Sequence, residues 1–434
     1  MFWIYVDNFR GFQNTCIPIK DVNFLVGENS TGKTSILNLI YLLTTPEFWF
    51  RQSFNTDEIN FGSYDDIVSM ESEDKKNFRI GFIDRVISER NDKEESNVFL
   101  FTFVKENGFP LINEYDYIKN SKEYRILFSN KEIEYEINKI PEISKDISLI
   151  KYFERWKIPP EKSNLQKIKS NKIFFSRKSS LSFITNIIAN ENNENIDEIN
   201  FAFEQPSFAD NNAWIGPIRS KPQRTYDEYI TNFSSEGRHV PYLLRDEFEK
   251  KSKRSRMLFN SLEEIGKESG LFDSIVIKKF GKDIDSPFAV DVKINNKELK
   301  IINTGYGISQ SLPVLVELIR RSDGWWYEIQ QPEVHLHPKA QAALGDLFYD
   351  LSISNKKKFL IETHSDYIID RFRINIMEKK MEGSIESQVL FFTKGEKGNL
   401  VTPISINENG DYSNAQPNEF REFFINEQRR LLGI

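Results

Sequence analysis

Residues 27–34 read Gly27-Glu28-Asn29-Ser30-Thr31-Gly32-Lys33-Thr34, followed by Ser35, the spacing of a G-x-x-x-x-G-K-[ST] loop. The two glycines let the backbone curl until successive N–H groups converge on phosphate oxygens, and the helix N-terminus that follows adds partial positive charge. In such a loop Lys33 reaches the β- and γ-phosphates, while the Thr34 hydroxyl ligates Mg²⁺. The context fits: an apolar strand over 22–26 enters the loop and a helical run over 35–43 leaves it. The chemistry implied is nucleoside triphosphate binding.

A second set of residues lies toward the other end. An apolar strand over 325–329 with one charge, Glu328, runs into Gln330-Gln331-Pro332-Glu333-Val334-His335-Leu336-His337-Pro338. A strand that ends in acids is the usual place to hold the Mg²⁺ shell and orient an attacking water. Phe359-Leu360-Ile361 then leads into Glu362-Thr363-His364-Ser365, and between the loop and these strands comes Gly305-Tyr306-Gly307-Ile308-Ser309-Gln310-Ser311-Leu312-Pro313, a turn followed by a helix start.

That order resembles the ABC-type ATPase heads of the SMC and OLD families. There a phosphate loop, a signature serine, an acidic strand and a switch histidine follow one another. The opening Asn8-Phe9-Arg10-Gly11-Phe12, the run Asn23 to Gly27, the segment Ile215-Gly216-Pro217-Ile218-Arg219 and the Pro-Glu-x-His-Leu-His-Pro block are similar to a subgroup of stand-alone bacterial AAA ATPases, several of them from phage-defence operons. The likeness covers residues 1–69 and about 210–425. It implies an α/β head, with a phosphate loop and a mixed sheet flanked by helices, carrying an inserted β-meander and helical region. It further implies ATP and Mg²⁺ as ligands, held by Arg10, residues Gly27 to Ser35, Ser309 and Gln310, with Thr34 and Gln330 on the metal. Gln330, Gln331, Glu333 and His364 take the catalytic positions. Ser309 would touch the γ-phosphate bound by a second protomer, so the active unit would be a homodimer or higher homo-oligomer. A serine here also suits a helix N-cap, and a helix start is itself where an anion binds. A hydrogen-bonded core histidine is the plain alternative for His364.

The departure from that family pattern is at Gln330 and Gln331. Carboxylates are usual at both, and an amide accepts a hydrogen bond but carries no charge and cannot act as a base at neutral pH. Slow hydrolysis with ATP retained is expected. A naturally slow switch and a glutamate replaced by its isosteric amide both fit, and the second is favoured. Glu328, Glu333 and Glu362 are the nearby acids that could compensate. His335 and His337 lack a third His or Cys partner, so roles in holding structure outweigh zinc.

The remainder of the 434 residues bounds these readings. A length of this order suits one head with an insertion, partitioned as 1–70, 71–212 and 213–434. Short alternating stretches over 77–137 read as an antiparallel meander. Residues 138–212 read as a mobile, largely helical segment, 234–270 as helical, and 418–432 as a polar tail helix. No heptads persist, which excludes long coiled-coil arms. No apolar run approaches the ~18 residues of a membrane helix, and no secretion signal opens the chain, so a cytoplasmic protein without a membrane role is expected. Cys16 is the sole cysteine, excluding an internal disulfide. The net charge of −7 argues against general attraction to nucleic acid, although Lys250, Lys251, Lys253, Arg254 and Arg256 form a local basic run. That run reads first as a solvated helix face, with a nucleic-acid contact left open. The stretch after His364 is short and lacks the Asp-x-Asp pattern of a Toprim nuclease. The function implied by the resemblance is therefore an ATP-gated sensor or scaffold in antiphage defence, acting with a nuclease or toxin supplied in trans. The alternative is a repair or recombination clamp that grips DNA when ATP drives dimerisation.

Overall fold

The computed structural model describes residues 2–72, 75–87, 94–119, 122–129, 132–140, 146–168, 181–192, 209–283, 286–379, 385–414 and 416–420. The first elements in chain order are β1 (Phe2–Asp7), β2 (Thr15–Ile19), β3 (Val22–Gly27), α1 (Lys33–Leu42), α2 (Pro46–Arg51) and α3 (Tyr64–Ile67). There follow β4 (Asn77–Ile87), β5 (Glu94–Glu106), β6 (Phe109–Lys119), β7 (Lys122–Phe128), β8 (Ile133–Lys139), α4 (Asp146–Arg155), β9 (Gln166–Lys167) and α5 (Leu181–Glu191). The second half contains β10 (Asn212–Ile215), α6 (Val240–Lys250), α7 (Lys253–Ser269), β11 (Ser274–Lys279), β12 (Phe288–Ile294), β13 (Lys297–Lys300) and α8 (Tyr306–Arg320). It closes with β14 (Trp326–Gln330), α9 (Pro338–Ser354), β15 (Lys358–Glu362), α10 (Asp366–Lys379), β16 (Ser387–Gly395) and β17 (Gly398–Ile406). Two compact units result: Met1–Lys20, Gly27–Asp210 and Phe392–Pro403 form one, and Asp21–Val26, Asn211–Phe391 and Ile404–Ile434 the other.

The first unit is built on an antiparallel sheet in the order β2-β1-β4-β5-β6-β7-β8-β9. Period-2 alternation places its aromatic residues on one face, and the register sets them opposite one another: Phe78 faces Phe103, Phe82 faces Phe99, Phe101 faces Tyr115 and Tyr117 faces Tyr124. Phe78 stacks on Phe103 at 5.0 Å, and Tyr117 on Tyr124 at 4.4 Å. Phe48 and Trp49 of α2 meet this ladder edge-on through Phe101. Much of the chain's phenylalanine is spent here. The other face is apolar near its centre, where Tyr5, Ile83, Val98, Leu100 and Ile118 are covered by Phe153 and Trp156. Arg125 closes its polar margin, donating to Asp116 (3.0 Å), Glu114 (2.7 Å) and the Trp156 carbonyl (3.1 Å).

The expected meander is present as the five strands β4 to β8. The Asn107-Gly108 turn brings β5 and β6 together, and Pro110 is accommodated near the start of β6. Two helices, α4 and α5, lie in the segment expected to be helical, most of whose remainder falls outside the described residues; of the expected tail helix, residues 418–420 are helical and the rest lies outside the described residues.

The second unit has the parallel order β10-β14-β15-β3, extended by β16 and β17. A two-residue link joins β16 to β17 and requires that pair to be antiparallel, so the sheet is mixed. β3 and β14 are buried throughout, and β15 but for Lys358 at its start, the pattern of strands covered on both faces. Asn23 pins the centre, donating to the Phe359 carbonyl at 3.1 Å and accepting from Gln388 at 2.8 Å. β11, β12 and β13 form a separate small sheet. The helical stretch expected over 234–270 is two helices, broken where Lys251 takes φ 48° and Ser252 caps α7 by accepting from the Ser255 N–H. The basic run straddles this break and is exposed apart from Ser255. Among the described residues no helix is long and apolar enough to cross a membrane.

The aromatic ladder yields a stability prediction. Phe78→Ala removes a fully buried ring that contacts Phe103, Phe54 and Tyr64, and should cost about 3–5 kcal/mol in denaturant unfolding, against a smaller loss for Phe78→Leu.

Candidate functional site: a phosphate loop and a polar strand end

The loop 27–34 leaves β3 and enters α1 with Glu28, Asn29 and Ser30 exposed at its apex. Gly27 has φ 142°, and a Cβ there would collide with the Phe392 carbonyl; Gly32 has φ 90°, and a Cβ would lie 2.5 Å from the Phe12 ring. Both positions demand glycine. Asn399 braces the same corner, its N–H donating to the Gly11 carbonyl (2.7 Å) and its side chain to the Arg10 carbonyl (3.2 Å). Thr31 closes the turn onto the Glu28 carbonyl at 2.7 Å. Lys33 is buried and donates to the carbonyls of Gly27 (2.9 Å) and Glu28 (2.6 Å), which gathers its charge at the mouth of the loop.

Helix α1 begins without a side-chain cap and without an acid in its first turn. Its leading N–H groups and partial positive charge suit an anion, so the cradle fits the phosphates of a nucleotide. Thr34 lies in that turn. Arg10, in contrast, is engaged elsewhere: its guanidinium donates to the Phe61 carbonyl at 2.7 Å and lies over the Phe61 ring, and burial lowers its pKa. Gln52 accepts from the Ile112 N–H and holds the end of α2 against β6.

The second unit gathers Gln330, Gln331, Glu333 and His364 where β14 and β15 end. Gln330 lies in register with Glu362, and the Gln331 N–H donates to the Glu362 carbonyl at 2.8 Å. Gln331 takes φ 45°. Glu333 accepts the His364 N–H at 2.7 Å through Oε1, whereas its Oε2 is buried without a hydrogen-bond partner among the described residues. The His364 side chain is exposed, which removes the reading of a core histidine. His337 caps α9 through Nδ1, His335 packs near Tyr306, and among the described residues no cluster of three His, Cys, Asp or Glu side chains could hold a metal.

Of the three acids near the amides, Glu328 is disqualified as a charge. It is wholly buried, with one oxygen on the Asn212 amide at 2.7 Å, and desolvation raises its pKa to about 8. Ser309 differs from expectation too. Helix α8 starts three residues earlier, at Tyr306, with Gly305 at the N-cap, so Ser309 lies within the helix, buried, donating to the Tyr306 carbonyl at 3.1 Å. Gln310 is buried beside it and donates to the Arg219 carbonyl at 3.4 Å.

The family profile of the AAA ATPase domain matches residues 1–369. The chain belongs to that family. It is thus an ATPase by class, with ATP as the ligand the family implies, and the mixed α/β architecture with an inserted meander expected from the sequence is present. None of the curated proteins compared with the chain matches it. Among solved structures it is similar to the SMC head domain from Thermotoga maritima, at 12% identity over 92% of this chain and 97% of that one with a TM-score of 0.38. It is also similar to the Smc head domain of Pyrococcus furiosus bound to the C-terminal domain of ScpA, at 11% identity over 99% and 100% with a TM-score of 0.41. The recombination mediator protein RecF aligns at 12% identity over 92% and 97%, with a TM-score of 0.34.

Sequence reasoning missed one residue of this site. Arg219 is 3% exposed, and its guanidinium donates to the Gln330 carbonyl at 3.0 Å and the Gln331 carbonyl at 3.4 Å. The signal was the Ile-Gly-Pro-Ile-Arg segment after β10, which pointed to a family but not to a role.

A raised carboxyl pKa favours folding below the unfolded value and loses that contribution as pH climbs toward the folded value. Stability should therefore decline between about pH 4.5 and 8 through Glu328. Glu328→Gln is expected to raise the thermal midpoint at pH 8 and leave it nearly unchanged at pH 4.5, as followed by calorimetry across that range.

Proposed function

We propose that this chain is an ATP-binding, slowly hydrolysing ATPase head whose nucleotide state gates a partner. The observation that carries this reading is the phosphate cradle: two glycines that tolerate no Cβ, a buried Lys33 at the mouth and an uncapped α1 N-terminus. Thr34 and Gln330 would hold Mg²⁺, which when bound neutralises charge on the β- and γ-phosphates. Both donors are neutral, so the nucleotide's own oxygens supply most of the ion's binding, as is usual for Mg²⁺.

Hydrolysis in this proposal is limited at the strand end. Gln330 and Gln331 can orient water by accepting or donating hydrogen bonds but cannot take its proton. Glu333 is the acid best suited to compensate, since the His364 N–H fixes one carboxylate oxygen and the other has no protein partner among the described residues. Self-association through α8, a partner supplied in trans and a place in antiphage defence belong to the same proposal and rest on the resemblance of the motifs. The burial of Ser309 adds a condition. To donate to a phosphate on another protomer, its hydroxyl must turn away from the Tyr306 carbonyl, which rotation of the side chain accomplishes with the helix intact.

Lys33→Ala should abolish ATP binding in titration calorimetry, and unchanged affinity would sink the assignment of the loop. For turnover, Gln330→Glu should raise steady-state phosphate release at least ~10-fold by restoring one preorganised charge. Equal rates in both forms would mean that the limiting charge is not the one missing at Gln330.

A further inference from the structure

Helices α7 and α9 lie side by side in the second unit and run in opposite directions. At one end Arg254, in the first turn of α7, donates to the Arg320 carbonyl (3.0 Å), and Asn355, after α9, donates to Asp323 (2.7 Å). At the other end a Cβ on Gly270, after α7, would lie 3.6 Å from Nζ of Lys339, in the first turn of α9. Between the two helices runs a groove of about 660 Å³. Its α7 side is a stripe at spacings of three and four from Arg254 through Met257, Ser261 and Ile265 to Glu268, and its α9 side is a like stripe from Ala343 to Ser354. At 1.5 Å per residue the α7 side is about 21 Å long.

The floor of the groove is apolar, formed by Leu258, Ile265, Ile319 and Leu347, and it continues outward to Met257, which is 60% exposed. The walls are acidic. On α9, Asp346 and Asp350 are paired with Arg371 (3.3 Å) and Lys379 (2.6 Å) of α10. On α7, Lys267 pairs with Glu263, whereas Glu264 and Glu268 are exposed and have no cation partner among the described residues. A solvated helix face accounts for such acids when they lie away from apolar surface. Here they flank it. Small-molecule sites are concave and carry a few convergent polar groups, while this groove has an apolar floor, charged rims and the length of several helical turns.

We propose that the α7–α9 groove is a docking site for a basic amphipathic helix of a partner protein. The apolar stripe of the guest, at i, i+3, i+4 and i+7, fills the floor, and the lysines or arginines beside that stripe meet Glu264 and Glu268. Met257 suits the rim because a flexible thioether adapts to the side chain it receives. The cations at the Arg254–Arg320 end match the partial negative charge of a helix C-terminus, so the guest lies with its N-terminus toward Glu268. The floor supplies affinity, and the carboxylates supply selection for a basic guest. All of these residues belong to the second unit and none to the phosphate loop, so the inference stands apart from the nucleotide reading.

The probe is a fluorescein-labelled peptide of about 15 residues, with leucine at i, i+3, i+4 and i+7, lysine and glutamine elsewhere, and a free C-terminal carboxylate. Fluorescence anisotropy with the full chain, without nucleotide, should give a Kd below ~100 μM. A scrambled peptide of the same composition, and one with glutamate in place of lysine, should each bind at least ~10-fold more weakly. In the protein, Glu264→Lys combined with Glu268→Lys should weaken the patterned peptide at least ~10-fold, and Met257→Gln about 5-fold. All three positions are exposed, so the unfolding midpoint should hardly move. If the charge reversal nevertheless unfolds the chain, Glu264→Gln with Glu268→Gln replaces it, with an expected loss of at least ~3-fold. No binding at ~100 μM, equal binding of the scrambled peptide, or variants that bind as tightly as the wild type would overturn the inference. A wild-type dimer in sedimentation that both variants dissociate would overturn it too, since the occupant would then be a second copy of this chain.

Discussion

Four parallel strands buried on both faces must end their hydrogen-bond ladder somewhere, and the polar groups released at that end need partners. In the second unit this constraint organises nearly everything near Gln330. The Gln331 N–H finds the Glu362 carbonyl, the carbonyls of Gln330 and Gln331 find Arg219, and the His364 N–H finds Glu333. Each of these pairings satisfies a backbone group with a side chain or a neighbouring strand end. Ligands in open α/β sheets collect at the same edge because the last backbone groups there are not consumed by the ladder.

The charges at that edge are fewer than the sequence suggests. Counted by residue type, Glu328, Glu333 and Glu362 look like a reserve of anions around two amides. Burial removes Glu328 from that reserve, because a proton bound up to about pH 8 makes it a neutral acid for most of the physiological range. Arg219 then contributes a cation that no motif had assigned.

Much of this was legible, and for stated reasons. The phosphate loop is read directly because backbone geometry forces glycine at 27 and 32, so the constraint is written in residue type. The parallel strands were legible as continuous apolar runs. What escaped were features set by tertiary partners. Nothing local in the run from Lys250 to Arg256 announces that Lys251 turns left-handed and splits a helix, since lysine has no preference for that conformation. The start of α8 was misplaced because Gly305 and Gly307 read as a turn, whereas Gly307 sits within the helix, where a Cβ would lie 2.8 Å from the His335 carbonyl. Arg219 was invisible as a site residue because its partners are main-chain carbonyls, which carry no sequence signal.

The first unit shows why a loop rich in glycine need not be floppy. Gly27 lies against the Phe392 carbonyl, Gly32 against the Phe12 ring and Asn399, and Lys33 against two loop carbonyls, so each glycine that frees the backbone locally is matched by a close contact that removes the freedom again. Phe12 in turn meets Phe392 edge-on at 6.3 Å, and the turn that carries it is bonded at Phe9 and Phe12 to itself and at Arg10 to Ile67. A phosphate entering such a cradle orders little that is not ordered already. The interaction energy of its oxygens with the N–H groups and Lys33 is then expressed as affinity instead of being offset by the entropy of fixing the loop.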